Sequence, residues 1–188
     1  MLFFNIHLLS TCFLCILTCA HITLSIHTFI NFSRKHKKIK AKSRTCVELI
    51  LSKKYANAHT ILYNMYQCRS SFMYQGFTPS TKTISHQLSA IEQWVYRSCG
   101  YSFLLIKTHL KRFISISGLL VSISILSSYL SPRSEIDYQL YICSWIAMQV
   151  VAIVISKKTA DRIKLYEGAT DIVIHSIRKT TFEQGRSA

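Results

Sequence analysis

The chain has 188 residues, 49% of them hydrophobic, and 23 Lys and Arg against 8 Asp and Glu, for a formal charge of +15. Five Gly and two Pro exclude collagen-like and Pro-rich chains and supply too few turns for a sandwich or barrel of many short strands. High hydrophobicity and high charge coexist in one chain when they are segregated along it, apolar spans in lipid and basic segments in water.

The first element, Leu2 to Phe32, holds no Asp, Glu, Lys or Arg. A helix crosses a bilayer with about 20 residues at a rise of 1.5 Å each, so residues 1–33 are read as a first transmembrane helix with length to spare. Thr18-Cys19-Ala20 has the small residues of a signal-peptide cleavage site. No basic segment precedes it, however, and the apolar run continues beyond it, which favours a retained helix. Asn31-Phe32-Ser33 has the form of a glycosylation sequon.

Seven basic residues follow at once: Arg34, Lys35, Lys37, Lys38, Lys40, Lys42 and Arg44. Two readings stand for them: a topology signal flanking the span, and a surface that attracts anionic lipid at about 1 kcal/mol per charge. Residues 34–112 form a basic and amphipathic helical region. Val47, Leu51, Tyr55, Ala58, Leu62 and Met65 share one face of a helix expected from Cys46 to Tyr66. Gly76–Ser80 breaks the pattern, with Thr78-Pro79-Ser80 as a turn and helix start. Ile84, Leu88, Ile91 and Val95 then share a second face, on a helix that runs towards the next span with Gly100 as its weak point.

The second span is Phe113 to Leu130 and the third is Ile136 to Ser156, joined by Ser131-Pro132-Arg133-Ser134-Glu135, so residues 113–156 make an antiparallel helical hairpin. The Ile-Ser alternation of the second span also fits a strand at period two, but strands usually run 3–10 residues and this run is longer. Residues 157–188 form a tail with Ile163, Tyr166, Val173 and Ile177 on a weaker helical face, a continuation of the third span that frays at Thr181–Ala188.

Of the 23 basic residues only Arg133 lies in the hairpin turn. The positive-inside rule makes the other side cytoplasmic. The expected fold is an all-α integral membrane protein with three transmembrane helices, its N-terminus outside and its helical extensions in the cytoplasm. The bilayer is the expected partner. A homo- or hetero-oligomer formed through membrane and inner helices is expected too, and nucleic acid is not, because the basic run abuts an apolar span.

Cys12, Cys15 and Cys19 fall on one helix stripe, read as a packing face with lipidation as the alternative. Gly118-x-x-x-Ser122, Ser124-x-x-x-Ser128 and Cys143-x-x-x-Ala147 have small-xxx-small spacing, and Gly118, Ser122, Cys143 and Ala147 are candidate helix-packing positions. His21 and His27 in or near the first span and Gln149 in the third are polar groups among apolar residues, read as bonded across helices, with a functional role such as a polar pathway as the other reading. The sequence holds no catalytic constellation, metal-ligand spacing or cofactor fingerprint, so a non-enzymatic role without cofactor or metal is expected.

One order of features resembles a known family. His86-Gln87-Leu88-Ser89-Ala90-Ile91-Glu92 leading into Ser102-Phe103-Leu104-Leu105-Ile106 is similar to the approach to the fifth span of arthropod gustatory-type chemoreceptors. Ser156-Lys157-Lys158-Thr159-Ala160-Asp161 followed by Tyr166-Glu167-Gly168-Ala169-Thr170 resembles the exit from their sixth. The resemblance covers nearly the whole chain with degenerate motifs and implies the fourth to sixth of seven spans. It also implies a plasma-membrane location and a role in a ligand-gated cation channel. The family's Thr-Tyr pair in the final span is absent, so the resemblance implies a partial chain, and no pore residue carries over. The alternative is a complete small three-span adaptor or accessory subunit.

Overall fold

The computed structural model describes residues 2–66, 80–129 and 138–186, and places four α-helices there: α1 Leu2–Leu51, α2 Tyr55–Tyr66, α3 Thr81–Tyr129 and α4 Tyr138–Arg186. Three of them are long and apolar enough to cross a membrane. The Ile-Ser stretch of the second span is helical within α3. Its hydroxyls are accommodated by bonding back to the helix, as Ser122 Oγ does to the Gly118 carbonyl at 3.0 Å and Ser117 Oγ to the Ile114 carbonyl at 3.1 Å.

The ends of these helices have identifiable causes. Lys53 stands in the left-handed region at φ 56°. Its amide donates to the Ile50 carbonyl and that of Lys54 to the Leu49 carbonyl, each at 2.9 Å. This paired closure is a Schellman cap, and it divides the helix expected over Cys46–Tyr66 into the end of α1 and the separate α2. The break resets the face: Ile50 is fully buried, whereas Leu51, expected to face inward, is exposed. At α3, Ser80 is the N-cap, its carbonyl accepting from the Ile84 amide at 3.1 Å and its Oγ from the Thr83 amide at 3.4 Å. Gly100, expected as a weak point, lies mid-helix in α3 without a break. The tail is likewise continuous helix to Arg186, past the start of the expected fraying. The turn at 131–135 and residues 76–79 lie outside the described residues.

The chain divides into two units, one of Met1–Phe29 with Phe103–Ala160, the other of Ile30–Ser102 with Asp161–Ala188. In the first, the pairs Ser10–Ser124 and His21–Phe113 set α1 antiparallel to α3, and His21–Ser156 with Ser25–Thr159 sets it parallel to α4. In the second, four helical segments enclose an apolar core. Phe32, Ile39, Cys46 and Ile50 meet Ala58 and Leu62, Ile84 to Val95, and Ile163 to Ile177, all buried at their inner positions. Gln87 is buried there as well, its Nε2 donating to the His59 carbonyl at 3.2 Å.

Candidate functional site

The first unit is built inside out. Many of its exposed side chains are large and apolar: Leu9 is 68% exposed, Ile16 67%, Leu119 62% and Leu126 63%. Its buried positions are largely polar, with Ser10, Thr18, His21 and Ser25 from α1, Ser117 and Ser124 from α3, and Gln149, Ser156 and Thr159 from α4. In water this arrangement would leave an apolar patch without cover. In lipid it is the expected one, because hydrocarbon solvates the outer side chains and the polar ones find partners between helices.

Those partners are specific. Ser10 Oγ and Ser124 Oγ share a hydrogen bond at 2.6 Å, and Tyr141 donates to Ser124 at 3.4 Å. Gln149 Nε2 donates to Ser117 Oγ. Thr18 Oγ1 donates to the Leu14 carbonyl at 2.7 Å and reaches Met148 Sδ at 3.5 Å. Thr159 Oγ1 donates to the Ile155 carbonyl at 2.8 Å and to the Ser25 carbonyl at 3.3 Å. His21 Nε2 and Ser156 Oγ share a bond at 2.9 Å, and the His21 ring stacks on Phe113 with centroids 5.3 Å apart and planes 16° from parallel. Inter-helix bonds of this kind in membranes average about 0.6 kcal/mol, so the seam fixes register more than it adds stability.

Register is its informative product. His21, Phe113 and Ser156 stand at one level of the unit. Arg112 and Lys157 immediately flank that level on α3 and α4, whereas α1 carries no basic residue until Arg34. The apolar run of α1 therefore continues past the level at which the other two helices turn basic.

The structure does not bring the candidate packing positions together. Apart from its chain neighbours and the backbone of its own helix, no described atom lies within 4 Å of where a Cβ on Gly118 would stand. Ser122, Cys143 and Ala147 are exposed. The stripe that packs lies beside them, through Ser117, Val121 and Ser124 on α3 and Gln149, Ala152 and Ser156 on α4. Cys12, Cys15 and Cys19 are exposed as well. Their stripe is not the packing face within the unit; Ser10, Leu14, Thr18, His21 and Ser25 form it, at spacings of four and three. That rhythm was present in the sequence, masked by the greater contrast of the cysteines.

In the second unit the basic run divides. Arg34, Lys37, Lys38, Lys40, Lys42 and Arg44 are exposed around a helix whose inner stripe is Phe32, Ile39 and Cys46. Arg44 Nε pairs with Glu48 Oε1 at 3.2 Å. Lys35 turns inward instead. Its Nζ lies 5.1 Å from the Phe32 ring centroid, 5.2 Å from Trp94 and 5.9 Å from Tyr166, and Phe32 meets Tyr166 edge to face at 5.3 Å. Among the described residues no carboxylate pairs with it, so three ring faces hold this ammonium. Burial pulls the Lys35 pKa below the ordinary lysine value.

The buried thiols are inert by the same physics: burial pushes Cys46 and Cys99 up to about 12 each. Arg178 pairs with Glu92 and donates to Ser89 Oγ at 3.4 Å, and Tyr96 donates to Asp171 at 3.4 Å, tying α3 to α4 along the unit's rim. Among the described residues no group of three His, Cys, Asp or Glu is placed to hold a metal ion. No family model, curated protein or solved structure matches the chain. The fold itself defines the class: an all-helical chain, among the described residues, with three helices able to cross a bilayer and, on its first unit, an apolar outer surface compatible with lipid contact.

Proposed function

We propose that the chain is a membrane-crossing receptor subunit, specifically the fourth-to-sixth-span portion of a gustatory-type chemosensory receptor in the plasma membrane. The observation that carries the membrane part is the inverted first unit, polar within and apolar without. The level of His21, Phe113 and Ser156 supports the boundary. From it, α1 reaches back to Leu2, α3 runs on to Tyr129 and α4 reaches back to Tyr138. Each stretch is close to the ~20 residues, or ~30 Å, of a crossing. The crossing part of α1 thus ends near His21, not at Phe32. Residues 22–33 are an apolar extension beyond the boundary on the basic side, and the positive-inside rule makes that side cytoplasmic.

The receptor part rests on the order of features: an apolar helix, a helical region between spans, then an apolar hairpin whose second helix continues as α4. That is the order of the family this chain resembles. Reading the transcript beyond the Ala188 codon tests it. A further apolar span carrying a Thr-Tyr pair is the expected result, and an in-frame stop there contradicts it.

The second reading is a three-span accessory subunit. It is favoured by Leu165 and Ile172, exposed at 53% and 72% seven residues apart on α4, which offer a partner an apolar strip. Purification in mild detergent decides between them: a stoichiometric, unrelated partner supports the accessory role, and self-assembly supports the receptor subunit.

A further inference from the structure

Between α1 and α3 of the first unit lies a cavity of about 430 Å³, open on one side. The antiparallel register orders its lining. At one end are Ile16, Leu17 and Ile116; at the other, past the His21–Phe113 stack, are His109 and Arg112. Arg112 is exposed, and among the described residues it has no hydrogen-bond or ion-pair partner. A groove apolar along its length and cationic at its mouth is complementary to an amphiphile with an anionic head.

We propose that this groove binds an anionic glycerophospholipid from the bilayer. The headgroup phosphate sits against Arg112, whose planar fork matches two phosphate oxygens, with His109 as a second donor. One acyl chain lies along Leu17, Ile16 and Ile116. A free anion would use Arg112 and His109 alone and leave the apolar wall without an occupant. A neutral amphiphile would use the wall and leave the guanidinium unmatched. The lipid alone satisfies both ends, and it is present wherever the groove opens to the membrane. The inference rests on the bilayer reading above, which places Arg112 at the headgroup level.

The test is native mass spectrometry of the full chain in detergent, titrated with phosphatidylserine or, as the neutral amphiphile without phosphate, diacylglycerol of matched chains. Carbonate extraction of the same chain from membranes is run alongside. Phosphatidylserine is expected to bind about tenfold more tightly than diacylglycerol, the scale of one charge-assisted hydrogen-bonded pair. Arg112→Gln is expected to abolish that preference. Leu17→Trp, which fills the groove, is expected to weaken both lipids. Lys37→Gln with Lys38→Gln removes two exposed charges elsewhere and is expected to leave the preference unchanged. Arg112 is exposed, so its variant keeps the fold, and circular dichroism checks the helicity. Equal affinity for the two lipids, or a preference that survives Arg112→Gln, overturns the site. If the chain resists carbonate yet shows either result, the site alone fails; if carbonate extracts it, the bilayer reading fails.

Discussion

Lys35 shows how little its sequence context says about a residue's fate. It sits in a run of seven basic residues, six of which point to solvent, and its helical phase three residues after Phe32 turns it into the core. There the ammonium exchanges water for three aromatic faces. A lysine whose folded pKa is lowered gives up its proton earlier in the folded chain than in the unfolded one. Between the lowered value and the ordinary lysine value of about 10.4, the unfolded chain binds more protons and stability rises with pH. Thermal unfolding over an alkaline pH series, taken as wild type minus Lys35→Met so that other groups cancel, is expected to show that rise. A flat or falling difference would contradict burial as the dominant influence on Lys35. Cys46 and Cys99 make a simpler case. With both thiols buried and held at about 12, the reactive thiolate is scarce at neutral pH. Both are expected to resist iodoacetamide in the folded chain and to react once it is denatured, as read by peptide mass spectrometry.

At the scale of the element, the helix faces show what a sequence encodes and what it leaves out. Ile84, Leu88, Ile91 and Val95 are all buried, and so are Ile163, Tyr166, Val173 and Ile177. Spacing of three and four marks the inner face wherever inside is apolar and outside polar. In the first unit the contrast reverses and falls among small residues. Serine and threonine are the inward marks there, and bulk and greasiness mark the outside, so apolar stripes mark the exposed face; of the small-residue spacings, Ser124 falls on the inner face and Ser122, Cys143 and Ala147 on the exposed one. The break at Lys53 was hidden for a different reason. A left-handed cap is usually glycine, and here a lysine takes the position with no sequence signal. Gly100 is the converse, a glycine that suggests a break where the helix runs straight through. With open space around its Cβ position, Gly100→Ala is expected to stabilise the chain by about 0.5–1 kcal/mol through reduced backbone entropy. A higher unfolding temperature in detergent checks this, and a clear loss of stability would mean that the glycine serves a close contact.

For the whole molecule, the opening combination of greasiness and charge resolves into place. The apolar residues form the outer surface of one unit and the core of the other, and the basic residues flank the first and coat the second. The all-helical class and the three apolar spans were legible in composition and run length. The level on α1 at which the neighbouring helices turn basic was not, because the apolar run of α1 continues about a dozen residues past it; the pairing of His21 with Phe113 and Ser156 marks that level. The central claim is a chain threaded through a bilayer with its basic segment inside. It is tested most directly by Lys38→Cys in a chain whose native cysteines are replaced by serine, labelled in intact cells with a membrane-impermeant maleimide. Position 38 is exposed on α1, so labelling only after permeabilisation is the predicted result. Labelling of intact cells would contradict the topology.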